Sequence, residues 1–164
     1  MIPKRVYHGS IFDFAEVIAE DGALLSPWER EIKALKRHPL SKTFLSRRTG
    51  SFEEIALELA SVGYSEREIA HRVQCISLTE KINHAAEYAF GSFNKEKQGF
   101  VLELDFFGDG TFTENSSTLF VSRRFSLDSL RAIYLASHTF PVYGQHFETL
   151  FARFHPQIKE YQEP

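Results

Sequence analysis

His8, Gly9 and Ser10 directly follow the short run Arg5-Val6-Tyr7. Glycine at the end of a strand lets a ligand come close to the backbone, because no Cβ intervenes and unusual φ values cost little. A neighbouring imidazole, largely neutral near pH 7, can hydrogen-bond a ribose hydroxyl. The same three residues also read as a plain strand-to-helix turn that carries a surface histidine. Tyr88 is the second group of interest, within "CISLTEKINHAAEYAFGS" from Cys75 to Ser92. It sits beside Ile82, Ala85, Ala86 and Ala89, whose mostly small side chains leave room for a flat ring to stack on the phenol. A half-buried core tyrosine would give the same pattern.

Other polar groups are less pointed. Glu103 and Asp105 flank Leu104, so in a strand they share one face; they are either a carboxylate pair for acid–base work or a solvated strand face. Arg47-Arg48 and Arg123-Arg124 are basic doublets able to hold the pyrophosphate of a dinucleotide or an RNA phosphate, with solvated surface as the default reading. Arg123 is the more interesting because it closely follows a predicted strand. His71, His84, His138, His146 and His155 have no zinc-site spacing. No glycine-rich phosphate loop or Rossmann fingerprint is present.

The elements that must position these groups follow from periodicity. Arg5-Val6-Tyr7 predicts a strand ending at His8-Gly9, then a helix over Phe14 to Ile18 stopped by Asp21-Gly22. Pro27 to His38 suits a surface helix; Ser51 to about Val62 and the stretch opening at Ser65 with Glu68 suit two capped helices. Val73 to Leu78 predicts a strand, and Thr79 is placed as the cap of the helix that carries Tyr88, with Gly91 at its end. "GFVLELDFF", Gly99 to Phe107, alternates as a strand with Glu103 and Asp105 on a wet face. Gly108-Asp109-Gly110 is a turn, Ser117 to Val121 a strand, Leu127 to Leu130 a helical turn and Ala132 to Leu135 a strand. The class is α+β, with helices early and strands late.

Composition sets bounds. The chain has 164 residues, 43% hydrophobic and 25% charged, enough for one domain with a sizeable core. Lys+Arg is 19 against Asp+Glu 22, net −3, so a grip on nucleic acid through bulk charge is not indicated. Sixteen Phe and six Tyr call for an aromatic core. Cys75 is the single cysteine, which excludes an internal disulfide and a cysteine zinc site. With no apolar run of membrane-spanning length and no signal-like core at the start, no membrane association is expected and a cytoplasmic location is. Oligomeric state leaves no trace in the sequence.

Taken together, "VYHGS" near the start and "ISLT", "AAEYA" and "GFVLELD" downstream resemble the ADP-ribosyltransferase fold, in its poly(ADP-ribose) polymerase-like and diphtheria-toxin-like branch, with the related RNA 2′-phosphotransferases beside it. The resemblance covers roughly residues 4–26 and 73–135. It implies a single domain over 1–164 with split mixed or antiparallel sheets, and a helical insert or lid at 27–72. It also implies NAD as substrate, with no metal. His8 would contact the nicotinamide ribose, the Gly9 backbone would pair with the carboxamide, and Ser10 would lie alongside. Tyr88 would stack on the nicotinamide ring, and Ser77 would fill a slot where the family often carries tyrosine. Arg123 would face the pyrophosphate. The family's glutamate slot falls near Ser117-Thr118-Leu119, where no acid stands; Glu114 is the candidate in its place, polarising the ribose 2′-hydroxyl and stabilising an oxocarbenium charge. The implied reaction cleaves the nicotinamide glycosidic bond and passes ADP-ribose to a macromolecule, protein or nucleic acid. The alternatives are a degenerate NAD, ADP-ribose or nucleotide-binding module, and a 2′-phosphotransferase-like enzyme, for which a second histidine in "ISLT" is missing.

Overall fold

The computed structural model describes residues 2–26, 30, 57, 60–61, 63–67, 75–91, 98–108, 111–112, 118–122 and 124–162. The expected helices over Pro27 to His38, from Ser51 and from Ser65 lie almost wholly outside these residues. So do Arg47-Arg48, His71, Asp109-Gly110, Glu114 and Arg123.

The described chain runs β1 (Lys4–Ile11), a 3-10 turn (Phe12–Phe14), α1 (Ala15–Asp21) and β2 (Ala23–Leu24). It continues with β3 (Cys75–Thr79), α2 (Ile82–Phe90), β4 (Gly99–Phe106), β5 (Thr111–Phe112) and β6 (Thr118–Ser122). The last part is β7 (Phe125–Ser126), a 3-10 turn (Leu127–Ser129), β8 (Leu130–Leu135), α3 (Phe140–Leu150) and β9 (Gln157–Glu160). Seven of these strands form one sheet in the order β5-β6-β3-β1-β4-β8-β9. Only β8 and β9 run parallel in it, so the sheet is mixed. β2 and β7 make a second, two-stranded antiparallel sheet. The class is α+β, as the sequence implies.

Alternation along β1 decides what each sheet face carries, because successive side chains point to opposite sides. Val6, His8 and Ser10 stand opposite Leu104, Leu102 and Phe100 of β4 and face the larger core. That core also takes Phe14, Val17 and Ile18 from the α1 side and Phe147 and Phe151 from the α3 side. Phe100, Phe147 and Phe151 are at most 1% exposed, and burying each contributes about 1.5–3 kcal/mol. The opposite face presents Arg5, Tyr7 and Gly9 beside Asp105, Glu103 and Val101, and α2 packs there through Ala85, Ala86 and Ala89.

α2 approaches so closely because two glycines lie beneath it. A Cβ on Gly9 would collide with the Ala85 carbonyl oxygen, and one on Gly99 with that of Ala89. The alanine stripe therefore seats the helix in a glycine-lined trough. Gly22 ends α1 at φ 63°, the left-handed cap expected of it. Arg153 completes that end, its guanidinium donating to the Ala19 carbonyl at 2.8 Å.

Several expectations are corrected. The first strand does not end at His8-Gly9 but continues to Ile11, held by eight residue pairs with β4. Thr79 is the last residue of β3 and the cap position of α2 is Lys81, although the Thr79 hydroxyl does accept the Lys81 N–H at 3.1 Å. Glu103 and Asp105 do share a face, yet it is not wet: they are 6% and 8% exposed. Arg5 reaches both carboxylates at 3.2 Å, and Arg131 Nε donates to Asp105 at 2.6 Å. The Tyr134 hydroxyl donates to Glu103 at 3.2 Å. Burial, with the nearby Glu103 carboxylate, pushes the Tyr134 phenol up to about 12. Nor are the helices confined to the early chain, since α3 comes late, followed by β9.

The trough under α2 predicts that Gly9→Ala lowers stability by about 1–3 kcal/mol through overpacking. Gly108→Ala, whose nearest atom would be Phe106 Cζ at 3.6 Å, should stay within about 0.5 kcal/mol of the parent. Urea unfolding of both variants measures the contrast.

Candidate functional site

β1 pairs along its whole length with β4, but its register with β3 consists of one pair, Tyr7 with Thr79. Beyond that pair, Gly9, Ser10 and Ile11 have no counterpart in β3, and the sheet opens into a seam in its middle. His8 stands where the two strands part. Its Nδ1 lies 2.8 Å from the Ser77 carbonyl oxygen across the seam. A carbonyl can only accept, so Nδ1 carries the proton and Nε2 keeps its lone pair. Nε2 has no hydrogen-bond partner among the described residues. The ring is 7% exposed, and its burial brings the imidazole down to about 4. The bond to Ser77 opposes that shift and the positive charge of Arg30 adds to it. At neutral pH His8 is thus an uncharged, oriented acceptor.

Of the predicted site residues, His8, Gly9, Ser10, Ser77 and Tyr88 lie about this seam, on both faces of the sheet. Gly9 lies under α2, where a Cβ would come 3.3 Å from Tyr88 Cδ1. Tyr88 is 53% exposed, so its ring borders solvent beside Gly9 rather than filling core. The Ser77 side chain is exposed and shares the α2 face, as the Tyr7–Thr79 pairing requires two residues further along β3. His8 and Ser10 project to the other face. The imidazole and the phenol therefore do not face one another across a single hollow; an uninterrupted strand sends adjacent residues in opposite directions. What the two faces share is the backbone at Gly9 and the open seam beside it.

Ser10 is 1% exposed, and its hydroxyl has no hydrogen-bond partner among the described residues. Arg30, which sequence reasoning passed over, is 7% exposed. Its guanidinium lies 4.2 Å over the Phe14 ring, on the same face as His8 and Ser10. Within the charged run "PWEREIKALKR" nothing marks this arginine from its neighbours. The Arg5–Glu103–Asp105–Arg131 network was also missed, since alternation alone assigns a polar position to water. Glu103 and Asp105 are fully engaged with arginine and tyrosine partners, a structural use of their charge. Glu114 and Arg123 lie outside the described residues.

A groove of about 380 Å³ lies between Phe12, Asp13, Ala15 and Glu16 on one side and Tyr143, His146 and Phe147 on the other. It includes none of the predicted site residues. Among the described residues no cluster of three or more His, Cys, Asp or Glu is arranged to hold a metal. No helix among them is long and apolar enough to cross a membrane.

No family model matches the chain, and no curated protein does. Among solved structures it is similar to DarT from Thermus sp. 2.9, determined in complex with carba-NAD+. The identity is 10% over 97% of this chain and 96% of that one, with a TM-score of 0.49.

The buried neutral imidazole has a thermodynamic consequence. Folding holds the His8 pKa below its unfolded value of 6.5, so the stability it contributes is complete above pH 6.5 and is lost as pH falls towards about 4. The loss is on the order of 3 kcal/mol. Urea unfolding at pH 7 and pH 4.5 should show it, and His8→Gln should flatten the dependence over that interval.

Proposed function

We propose that the chain is an NAD-dependent ADP-ribosyltransferase whose substrate lies along the seam between β1 and β3. The observation that carries this reading is the fixed tautomer of His8. A buried imidazole that stays neutral at pH 7, whose Nε2 has no hydrogen-bond partner among the described residues, suits a sugar hydroxyl donor. Gly9 follows it in β1, and the solvent-bordering Tyr88 ring lies beside that glycine on the opposite face. The motif order "VYHGS", "ISLT", "AAEYA" supports the same assignment, since it resembles the family in which these positions meet the nicotinamide ribose, the carboxamide and the pyridine ring.

In this reading the C1′–N bond to nicotinamide breaks and its electron pair leaves with the ring. A nucleophilic oxygen or nitrogen of the acceptor forms the new bond to C1′ and gives up its proton. The transition state is close to an oxocarbenium ion, so the protein acts mainly by positioning and by placing negative charge near the sugar. His8 Nε2 orients the ribose, Tyr88 holds the departing ring, and Glu114 supplies the carboxylate. The acceptor is a macromolecule. Binding without turnover is the second reading, favoured by the absence of an acid at Ser117-Thr118-Leu119.

Incubation with NAD should release nicotinamide. His8→Ala should cut that release on the order of 10²-fold or more while circular dichroism stays unchanged. Glu114→Gln should lower release with NAD affinity retained. Unchanged turnover in the His8 variant contradicts the assignment, and binding without release selects the second reading.

A further inference from the structure

The proposed transfer leaves one proton without a destination. The hydroxyl or amine that attacks C1′ must lose it, and the group assigned to the sugar is a carboxylate. A carboxylate that took this proton would give up the negative charge that the oxocarbenium needs. A second proton acceptor is called for, and α2 carries one. His84 and Tyr88 stand four residues apart in this helix, so they share a flank with Cβ atoms about 5–6 Å apart. Ala85, Ala86 and Ala89 turn to the sheet. On one side of them Phe90 packs on Tyr161 at 5.5 Å, next to β9 at the sheet edge. The flank with Tyr88 points the other way, to Gly9 and the seam, and His84 lies on it one turn earlier.

Position and chemistry agree. His84 is half-buried, and its ring makes no hydrogen bond, ion pair or ring contact among the described residues. α2 starts beside the end of β3, where the Thr79 hydroxyl accepts the Lys81 N–H at 3.1 Å, so its first turn borders the β3 side of the opening. His8 projects to the opposite face, and His138, His146 and His155 fall between β8 and β9. Imidazole is the side chain that trades a proton near neutral pH. We infer that His84 takes the proton from the acceptor's nucleophile. As the C1′–N bond breaks and its electron pair leaves with nicotinamide, a lone pair of the nucleophile forms the bond to C1′. The proton of that nucleophile passes to an imidazole nitrogen of His84, which returns it to water. The inference rests on the transferase reading and gives one turn of α2 two roles. Tyr88 holds the departing ring, and His84 serves the entering group.

Nicotinamide release from NAD, with water as the acceptor, tests this. His84→Ala should lower release on the order of 10²-fold while circular dichroism stays unchanged. Sodium azide attacks as an anion with no proton to lose, so it should restore release in this variant to within about tenfold of the parent, with ADP-ribosyl azide as the product. His84→Gln keeps a hydrogen-bonding side chain of similar size that takes no proton, and its release should fall as far. A structural role would be served by glutamine and would be indifferent to azide. Release near the parent's level in either variant, or a loss that azide does not repair, therefore overturns the inference and leaves the transferase reading standing. Should His84→Ala fail to fold, the loss in His84→Gln and its repair by azide decide the matter. No release by the parent protein overturns both.

Discussion

The hydrogen bond from His8 Nδ1 to the Ser77 carbonyl, 2.8 Å across the seam, is the contact on which the site depends. β1 and β3 share one residue pair, so the ladder that would otherwise hold them is absent beyond Tyr7 and Thr79. The imidazole spans the place where the ladder stops. In doing so it satisfies a carbonyl, fixes its own tautomer and turns Nε2 into an acceptor. Burial then suppresses protonation, so the acceptor persists across the physiological pH range. A solvent-exposed histidine near its ordinary pKa would be a mixture of tautomers and charge states, and would define no such direction.

Around this contact the two faces of the central strands do different work. On the α2 face, Gly9 and Gly99 give up their side chains so that the Ala85 and Ala89 carbonyls can settle on the strands, which brings Tyr88 beside Gly9. The same face further along β1 carries the Arg5, Glu103, Asp105 and Arg131 network. There each carboxylate has an arginine, and Glu103 has the Tyr134 hydroxyl in addition. Buried charges of this kind are tolerated because they are paired, and removing one partner costs more than the pair contributes. On the core face the Ser10 hydroxyl has no hydrogen-bond partner among the described residues.

Much of this was legible in the sequence. The Gly22 stop, the helix carrying Tyr88 and three strands follow from period and capping chemistry, the strands expected over Val73–Leu78, Gly99–Phe107 and Ala132–Leu135 and found over Cys75–Thr79, Gly99–Phe106 and Leu130–Leu135. The boundary at His8-Gly9 did not, for a physical reason: glycine in a strand can mark an end or a close approach, and only the helix above it shows which. The continuous strand sends the His8 side chain to the face opposite the one that α2 covers. Glu103 and Asp105 looked like a solvated edge because alternation cannot see Arg131 arriving from β8. Arg30 left no sign at all, since its significance is its burial over Phe14.

The central claim is that His8 is a neutral acceptor aimed at a substrate sugar. Nitrogen-15 spectroscopy of the imidazole tests it most directly, with and without NAD. The account predicts an Nδ1-protonated neutral ring at pH 7, and an Nε2 signal that moves when NAD is added. A charged ring, an Nε2-protonated tautomer, or an Nε2 signal indifferent to saturating NAD would contradict it.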